Sequence, residues 1–190
     1  MPTPVLHVIA GPNGTGKSTF QRSVLAPSTL EFVNADHIAA ARWPGAEAEH
    51  AYDAARLAEQ RRAELLDERT SFVAETVFSH ESKVELLRRA SQAGYIVVLH
   101  VILVSEALAV ARVEHRVANG GHFVPEGKIR SRHRRLWSYV AQAAGIADET
   151  IVYDNSSAAN PYKIVAVYRS GSLVRQPTWP PWAPAELVNL

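Results

Sequence analysis

The residues best suited to chemistry stand near the start of the chain, in "GPNGTGKST" at positions 11–19. Gly11, Gly16, Lys17 and Ser18 satisfy the spacing G-x-x-x-x-G-K-[ST], in which glycines let backbone N–H groups turn inward around an anion. The lysine of this motif reaches the β- and γ-phosphates of a nucleotide, and the serine hydroxyl is a ligand for Mg²⁺. The stretch therefore predicts a phosphate-binding loop that takes ATP or GTP together with Mg²⁺.

The surroundings of this loop support the prediction. An apolar strand precedes it at 5–10, and a helical segment, "KSTFQRSVL", follows it and directs a positive helix end at the phosphates. The four fixed positions arise by chance in fewer than about one chain in a hundred of this length. The alternative is a glycine-rich turn with a surface lysine. We assign nucleotide binding to Gly11, Asn13, Gly14, Thr15, Gly16, Lys17, Ser18 and Thr19, and metal binding to Ser18.

Two carboxylates follow other predicted strands, at the edge where open α/β sheets bind ligands. Asp36 comes after the strand at 31–34, and Glu75 ends the strand at 71–75 and is followed by Thr76. A carboxylate within hydrogen-bond reach of an alcohol orients the hydroxyl and takes its proton, so either residue is a candidate general base for phosphoryl transfer. The alternatives are that Asp36 only caps the short helix after it, and that Glu75 is a strand end exposed to water.

The strongest apolar strand, "IVVLHVIL" at 96–103, has no aspartate at its end. Many P-loop NTPases hold Mg²⁺ with an aspartate in such a place, so the sequence favours a kinase-like arrangement instead. We expect Ser18, the phosphates, water and Asp36 to complete the magnesium site.

Arginines are concentrated between residues 112 and 135, on both sides of a Gly-Gly-His turn. The two glycines suit the hinge of a lid, and arginines carried by a lid stabilise the charge on a transferring phosphoryl group. Helical spacing places Arg112 and Arg116 on one face, and Arg130 and Arg134 on one face of the next helix. Some of these arginines belong to a solvated basic face, and a patch that binds polynucleotides is a further alternative.

Apolar runs of strand length alternate with helix-period segments, which is the pattern of an α/β fold with a mostly parallel sheet. Five strands and a sixth at the sheet edge are predicted at 5–10, 31–34, 71–75, 96–103, 149–154 and 163–169. Several strands are continuously apolar, as expected when helices cover both faces of the sheet. The predicted fold class is therefore a P-loop kinase fold with a five- to six-stranded sheet and a helical, arginine-bearing lid.

Longer helices are predicted at 46–69, 81–94, 106–121 and 126–144. The first carries an alanine-rich stripe that suits close packing against a neighbour. The second has the spacing of a capping box from Ser82 to Glu85 and ends at Gly94.

The length of 190 residues suits one domain. We assign residues 1–175 to a P-loop kinase domain, with the lid at about 112–135. The remaining residues, 176–190, form a tail rich in proline and tryptophan, which we expect to pack on the body of the domain.

Composition and charge exclude several classes of protein. Twenty basic residues stand against nineteen acidic ones, so the net charge of +1 calls for neither a nucleic-acid nor a membrane partner. The sequence contains no cysteine, which excludes disulfides, thiol catalysis and thiolate metal sites. The start lacks the pattern of a signal peptide, and the longest apolar run is far short of the roughly 20 residues that span a bilayer. We therefore expect a cytoplasmic protein.

Five segments, taken in order, resemble the zeta toxin family of P-loop kinases over about residues 5–157. They are "IAGPNGTGKST", "EFVNAD", "AETVFS", "ARVEHRVANGGHFVPEGKIRSRH" and "VYDNS". The "NAD" after the second strand and the "RV..GGH.VPE..I" pattern are the most specific of these pieces. The resemblance implies an ATP- or GTP-using kinase that phosphorylates the 3'-hydroxyl of a UDP-N-acetyl amino sugar such as UDP-N-acetylglucosamine, and it implies an antitoxin protein as a partner.

The same resemblance implies roles for individual residues. They are Lys17 at the phosphates, Asp36 as general base, Glu75 and Thr76 at the sugar nucleotide, and Arg116 and Arg132 as lid arginines. His133 stands where the family pattern has a tyrosine, so the second lid arginine is either Arg130 or Arg132.

Two other functions fit parts of this pattern. A P-loop binding module or NTP-driven switch needs no acceptor, but it leaves the two strand-end carboxylates and the lid arginines without a role. A polynucleotide kinase uses the basic lid on nucleic acid, and salt-sensitive binding is the property that distinguishes it.

Overall fold

A computed structural model describes residues 2–25, 29–119 and 124–190. Its strands are β1 (Val5–Ala10), β2 (Glu31–Val33), β3 (Phe72–Thr76), β4 (Ile96–Leu103), β5 (Glu149–Asp154), β6 (Lys163–Arg169) and β7 (Ser172–Leu173). They form one sheet in the order β2-β3-β1-β4-β5-β6-β7. The strands from β2 to β5 in this order are parallel, and β6 and β7 are antiparallel to their neighbours. The predicted α/β fold with a mostly parallel sheet is confirmed.

The sheet extends one strand further than predicted. β6 pairs with β5 on one side and with β7 on the other, where Tyr168 lies opposite Leu173 and Arg169 opposite Ser172. The prediction that residues 163–169 form the edge strand is therefore wrong. A strand of two residues is too short to show an alternating pattern in sequence, so only the fold reveals it.

The helices are α1 (Lys17–Phe20), α2 (Ala35–Arg42), α3 (Ala51–Asp67), α4 (Ser82–Gln92), α5 (Glu106–Ala118), α6 (Glu126–Ala144) and α7 (Ala185–Val188). α1 continues as a π-helical turn over Gln21–Leu25. Neighbouring residues of β1 lie in different apolar clusters, since Val8 belongs to the largest one and Ile9 to another, and both side chains are fully buried. Because successive side chains of a strand point to opposite faces, both faces of the sheet are covered.

The predicted helix at 46–69 begins later, at Ala51. The preceding residues form a turn in which the N–H groups of Glu49 and His50 donate to the carbonyl of Ala46. The imidazole of His50 stacks on Trp43, with ring centroids 4.5 Å apart. This stack fixes the connection between α2 and α3 and so sets where α3 starts.

The start of α4 differs from the predicted capping box. Ser82 is the first helical residue rather than the cap, and the side chain of the capping residue Glu81 makes no capping hydrogen bond. The backbone N–H of Ser82 donates to His80 Nδ1 instead. The predicted end at Gly94 is correct in position, because Gly94 adopts φ +75° and directs the N–H of the next residue to the carbonyl of Ala90.

The tail after β7 packs on the rest of the domain. Trp179 and Trp182 are partly buried against the main apolar cluster, and Leu187 is fully buried in it. The hydroxyl of Tyr168 donates to the Leu187 carbonyl at 3.1 Å, which fixes α7 against β6. In the described ranges, no helix combines the length and the apolar character that crossing a bilayer demands.

The position of β1 in the sheet determines where the functional residues meet. β1 lies between β3 and β4, with Ile9 opposite Glu75 and Ala10 opposite both Thr76 and Val101. Because parallel strands end at the same edge of a sheet, the loop that follows β1 and the carboxylate of Glu75 lie side by side.

Candidate active site

The loop between β1 and α1 is held by close backbone contacts. A Cβ atom on Gly11 would lie 2.6 Å from the Ile102 carbonyl oxygen, and one on Gly14 would lie 2.5 Å from that of Ala109. Both are far inside normal contact distances, so larger residues would push the loop off β4 and α5. Gly16 adopts φ +88° directly before α1, a conformation that costs other residues free energy. These glycines are therefore required by the shape of the loop.

Lys17 lies inside this loop. Its side chain is only 7% exposed, and its ammonium group donates to the Pro12 carbonyl at 2.9 Å. Burial lowers the pKa of Lys17, while the carboxylates of Glu75 and Asp36 act in the opposite direction. The lysine therefore lies within the electrostatic reach of both carboxylates that the sequence singles out.

Two residues that sequence analysis missed, one directly after β5 and the other directly before β6, brace the loop. Asn155, which directly follows β5, is 8% exposed and donates from Nδ2 to the Thr15 carbonyl at 2.8 Å. The Tyr162 hydroxyl donates to the Gly16 carbonyl at 2.9 Å. The sequence does carry a signal for Asn155, which is a polar residue at the carboxyl end of a strand, but only carboxylates at such positions were candidates for a general base. Tyr162 carries no sequence signal, because its contact joins residues that are 146 positions apart.

The two carboxylates take up different positions beside the loop. Glu75, the second-to-last residue of β3, accepts a hydrogen bond from the Ser18 hydroxyl at 2.9 Å. It is therefore engaged with the loop and is more than a solvated strand end. Asp36 lies in the first turn of α2 and lines the same cleft.

The alternative role of Asp36 as a helix cap is wrong. The cap of α2 is Asn34, whose Oδ1 accepts from the N–H of Asp36 at 2.6 Å and from the N–H of His37 at 3.3 Å. Because Asn34 satisfies these backbone groups, the carboxylate of Asp36 is left available to the cleft. The sequence showed "NAD" as a unit, and the structure divides it into a cap and a cleft residue.

Arg130 and Arg132 have different surroundings in the structure. Arg130 is bound to Glu106 at 2.7 Å and to Glu126 at 2.8 Å, on the outer side of α6. Arg132 instead donates from Nη1 to Asn13 Oδ1 in the loop, at the long distance of 3.4 Å. Burial lowers the pKa of the Arg132 guanidinium, and the Asp36 carboxylate acts in the opposite direction. Arg132 is therefore the arginine of α6 that lies at the cleft.

Arg112 and Arg116 of α5 also line the cleft, and the charge of Arg116 adds to that of Arg132 in lowering the pKa of Lys17. His133 lies away from the cleft, with Nε2 3.1 Å from the Val104 carbonyl oxygen and its ring edge against Trp137. The predicted glycine hinge, Gly120 and Gly121, lies outside the described residues.

These elements enclose one cleft of about 770 Å³. The predicted residues that line it are Asn13, Gly14, Gly16, Lys17, Ser18 and Thr19 of the loop, Asp36, Glu75 and Thr76 of the carboxylate side, and Arg116 and Arg132. Gly11 and Thr15 do not line it. Thr15 is fully buried and donates from its hydroxyl to the Pro12 carbonyl, so it stabilises the loop from within.

Beyond Thr76, the chain makes a strained turn that sequence analysis did not predict. Phe78 is fully buried and adopts φ +63°, which is unusual for a large side chain. Its N–H donates to the Thr76 hydroxyl at 3.1 Å, and residues 76–80 all line the cleft. Strain of this kind persists where the surrounding structure requires it, and it is frequent at functional sites.

The donor atoms near Ser18 suit a hard cation. The Ser18 hydroxyl and the Glu75 carboxylate are oxygen donors in contact with one another, and Mg²⁺ is commonly held by one or two such groups together with phosphates and water. In the part of the chain that the structure describes, no three His, Asp or Glu side chains gather into a metal site. The arrangement fits a cation that arrives with a nucleotide.

Comparisons with known proteins agree with this architecture. The family model AAA_33, described as an AAA domain, matches residues 6–137. An uncharacterized protein of Haemophilus influenzae is 30% identical over 124 residues, which cover 65% of this chain and 88% of that protein.

Solved structures with a similar fold include two complexes. A chain of the AvrRxo1-ORF1:AvrRxo1-ORF2 complex with sulphate ions has a TM-score of 0.72 and 16% identity, over 98% of this chain and 63% of its own length. A structure of the same complex with ATP has a TM-score of 0.59. A chain of the PezAT toxin–antitoxin system of Streptococcus pneumoniae has a TM-score of 0.62 and 15% identity, over 80% of this chain and 69% of its own. At these identities the likeness concerns the fold, and the chain spans less than two thirds of the AvrRxo1 chain.

Proposed function

The chain belongs to the AAA_33 family, and from this premise and the geometry of the cleft we propose that it transfers the γ-phosphoryl group of ATP or GTP to a hydroxyl of a small acceptor. The observation that carries the proposal is that one cleft is lined by the phosphate-binding loop and by Asp36, which Asn34 leaves available. A nucleotide switch has no acceptor hydroxyl for such a carboxylate to activate, whereas a phosphotransferase does. The fold it shares with the AvrRxo1 complex that contains ATP also supports nucleotide use.

In this proposal the loop and the cations hold the nucleotide. The backbone N–H groups of the loop and the Lys17 ammonium bind the phosphates, and Arg116 and Arg132 stabilise the charge that spreads over the transferring group. Ser18, oriented by Glu75, would hold Mg²⁺ together with the phosphate oxygens. When bound there, the ion would neutralise charge on the phosphates. In this proposal Glu75 orients the metal ligand Ser18, in addition to binding the sugar nucleotide as the family resemblance implies.

Asp36 is the proposed general base. Its carboxylate accepts the proton of the acceptor hydroxyl as the oxygen forms a bond to the γ-phosphorus. The bond from that phosphorus to the bridging oxygen breaks, and ADP or GDP leaves with the electron pair. Protonated Asp36 then returns the proton to solvent.

The more specific part of the proposal concerns the identity of the acceptor, a protein partner and the location in the cell. We propose the 3'-hydroxyl of UDP-N-acetylglucosamine, held by Glu75 and Thr76, on the strength of the resemblance to zeta toxins and the fold shared with the PezAT chain. The cleft volume of about 770 Å³ falls in the range of pockets that enclose whole small ligands. An antitoxin partner and a cytoplasmic location belong to the same proposal.

The test is to incubate the purified protein with Mg-ATP or Mg-GTP and a panel of UDP-sugars, nucleosides, small alcohols and 5'-hydroxyl oligonucleotides, and to measure acceptor mass. A gain of one phosphoryl group on UDP-N-acetylglucosamine supports the full proposal, and a gain on another small acceptor supports phosphotransfer alone. Nucleotide hydrolysis with every acceptor unchanged would contradict phosphotransfer. Calorimetry that detects no nucleotide affinity would remove the site itself.

A further inference from the structure

One wall of the cleft is built from small side chains of α3 and ends in a cation. Ala51, Ala55, Ala58 and Arg62 all line the cleft, and their spacings of four, three and four residues place them on one face of the helix. At 1.5 Å per residue, this wall is about 16 Å long. The alanine stripe was predicted to pack closely on a neighbour, but part of it borders open space. The cleft therefore extends well beyond the loop that binds phosphates.

Arg62 is unusual among the charged residues of the molecule. It is only 6% exposed, yet in the described ranges its guanidinium makes no hydrogen bond and no ion pair. The carboxylate whose field reaches it is that of Glu59, which is exposed on the same helix and lies beyond ion-pair distance. Burying an unpaired charge is costly, so such a group normally has a partner.

Lys83 of α4 adds a second cation beside the first. It also lines the cleft, and the charge of Arg62, after burial, is the main cause that lowers the pKa of Lys83. Two neighbouring cations that face the same space repel each other, and Glu59 is again the carboxylate that opposes the effect. The pair is thus an electropositive patch that Glu59 compensates only in part, without an ion pair to either cation among the described residues.

This patch lies at the end of the α3 wall that neighbours α4. Tyr52, at the start of α3, is close enough to Arg132 to act on its pKa, and Arg132 in turn lies beside Asp36. Arg62 is almost three helical turns further along α3 and neighbours α4 instead. Arg62 and Lys83 are also not among the groups that act on the pKa of Lys17. We therefore assign the loop phosphates to Lys17, Arg116 and Arg132, the cations that act on one another at the loop, and assign another ligand to this patch.

We infer that Arg62 and Lys83 bind an anionic group, phosphoryl or carboxylate, on the acceptor, at the end remote from the hydroxyl that is phosphorylated. This inference rests on the proposed phosphotransfer. A guanidinium binds either anion through two parallel hydrogen bonds, and the neighbouring ammonium adds a third donor. The acceptor is thereby held at both ends, with its hydroxyl at Asp36 and its anion at the patch. Neutral sugars and alcohols engage only one end.

The kinetic test uses pairs of acceptors that differ in the anion. The pairs are N-acetylglucosamine 1-phosphate with N-acetylglucosamine, glucose 6-phosphate with glucose, and gluconate with sorbitol. Transfer is expected to an anionic member of a pair and not to its neutral partner, and the pair that reacts distinguishes phosphoryl from carboxylate. Equal transfer to neutral acceptors would overturn the inference while leaving phosphotransfer intact. Preferential transfer to a 5'-hydroxyl oligonucleotide would overturn it too, since a polynucleotide is then the substrate.

Variants test the residues. Arg62→Gln and Lys83→Gln are each expected to raise the KM for the anionic acceptor by about 10- to 100-fold, the equivalent of one charged hydrogen bond, with the KM for ATP unchanged. Arg62→Lys, which keeps the charge, should recover part of the loss. Arg56→Gln is the matched control, because Arg56 is an exposed arginine of the same helix with its own partner, Asp53. An Arg62→Gln enzyme with the KM of the control would overturn the inference.

A binding experiment tests the inference even if a variant is inactive or no acceptor in the panel is phosphorylated. The protein is saturated with Mg²⁺ and a non-hydrolysable ATP analogue, and UDP-N-acetylglucosamine, glucose 6-phosphate and gluconate are titrated in turn by calorimetry. At least one of the three should bind to the wild type and to Arg56→Gln, and bind at least about 10-fold more weakly to Arg62→Gln. Circular dichroism of each variant shows whether the fold is kept. Binding of none of the three, or equal binding by Arg62→Gln, contradicts an anion site, whereas nucleotide binding without any transfer contradicts the proposed function.

Discussion

The two sides of the cleft are built in different ways. On the phosphate side, one run of consecutive residues, 11–19, provides the groups that bind phosphate, and most of these groups are backbone N–H groups. On the side that we propose for the acceptor, called the acceptor side below, Asp36, Arg62, Glu75 and Lys83 come from four different elements. The first kind of site is visible as a motif, whereas the second exists only once the sheet and its helices are assembled.

The two sides also differ in how tightly they are packed. Under the loop, Phe20 of α1 is fully buried and contacts the rings of His100, Tyr153 and Tyr162, with centroids 4.9 to 5.4 Å apart. Across the cleft, Ala51 and Ala55 present small exposed side chains. A rigid support suits phosphates, whose geometry is the same in every nucleotide, while an open wall leaves room for the acceptor.

The largest effect is expected on the phosphate side, at Lys17. Lys17→Met keeps the volume of the buried side chain and removes the ammonium group, so transfer should fall by about 10³-fold or more. Phosphotransfer kinetics with saturating acceptor measure the effect. Lys163→Met, on β6 and outside the cleft, is the control. A loss under tenfold would mean that backbone groups alone hold the phosphates.

Asp36 gives the next largest effect and belongs to the acceptor side. Asp36→Asn keeps the shape but accepts no proton, so turnover should fall by about 10²-fold or more, with nucleotide affinity retained. Single-turnover kinetics and nucleotide titration measure the two properties separately. Wild-type turnover by this variant would show that Asp36 is not the general base, and Glu75→Gln is then the variant to test.

Acid should weaken the packing under the loop. Burial, with the charge of His7, lowers the pKa of His100 to about 3, against about 6.5 in an unfolded chain. Between these values the unfolded state binds a proton that the folded state does not, so stability is fully present above about pH 6.5 and is lost as the pH falls. From pH 7 to pH 5 the loss is about 2 kcal/mol from this group.

Urea unfolding of the wild type and of His100→Leu at pH 7, 6 and 5 measures that dependence. The slope with pH should be smaller in His100→Leu and unchanged in His115→Asn, a variant of an exposed histidine. Identical slopes in all three proteins would show that His100 takes up a proton as readily in the folded state as in the unfolded chain, which contradicts a lowered pKa.

The smallest effect concerns the cap that holds Asp36 in place. Asn34→Ala removes the acceptor for two backbone N–H groups of α2 and should lower the free energy of unfolding by about 1 kcal/mol. Ser82→Ala, at a serine with the sequence signature of a cap but a helical position, should cost less than about 0.5 kcal/mol. Urea unfolding compares the two variants, and the reverse order would contradict the assigned caps.

Much of the fold was predictable because the strands are long apolar runs. β1, β4, β5 and β6 have the bounds that their sequences predict, and so does α6. The errors lie where a short segment depends on its neighbours. β7 exists only by pairing with β6, and the start of α3 is set by the contact between Trp43 and His50.

The residues of the candidate site also fall into those that the sequence predicted and those that depend on contacts between distant segments. The motif identified the loop, and the strand-end rule identified Asp36 and Glu75, although their roles remain predictions. The same rule, applied to acids alone, overlooked Asn155. Arg62 could not be found, because in sequence it is one of several arginines on an amphipathic helix and only its burial beside Lys83 sets it apart.

The sequence by itself determined the phosphate-binding loop, because glycine, lysine and serine at fixed spacing constrain the backbone locally, whatever surrounds them. Tertiary structure alone decided which charges share the cleft. Three features depend on distances between segments far apart in the chain. They are the choice between Arg130 and Arg132, the hydrogen bond from Ser18 to Glu75, and the proximity of Arg62 to Lys83. Those distances are fixed by the order of the strands and the packing of helices on them, which no local pattern encodes.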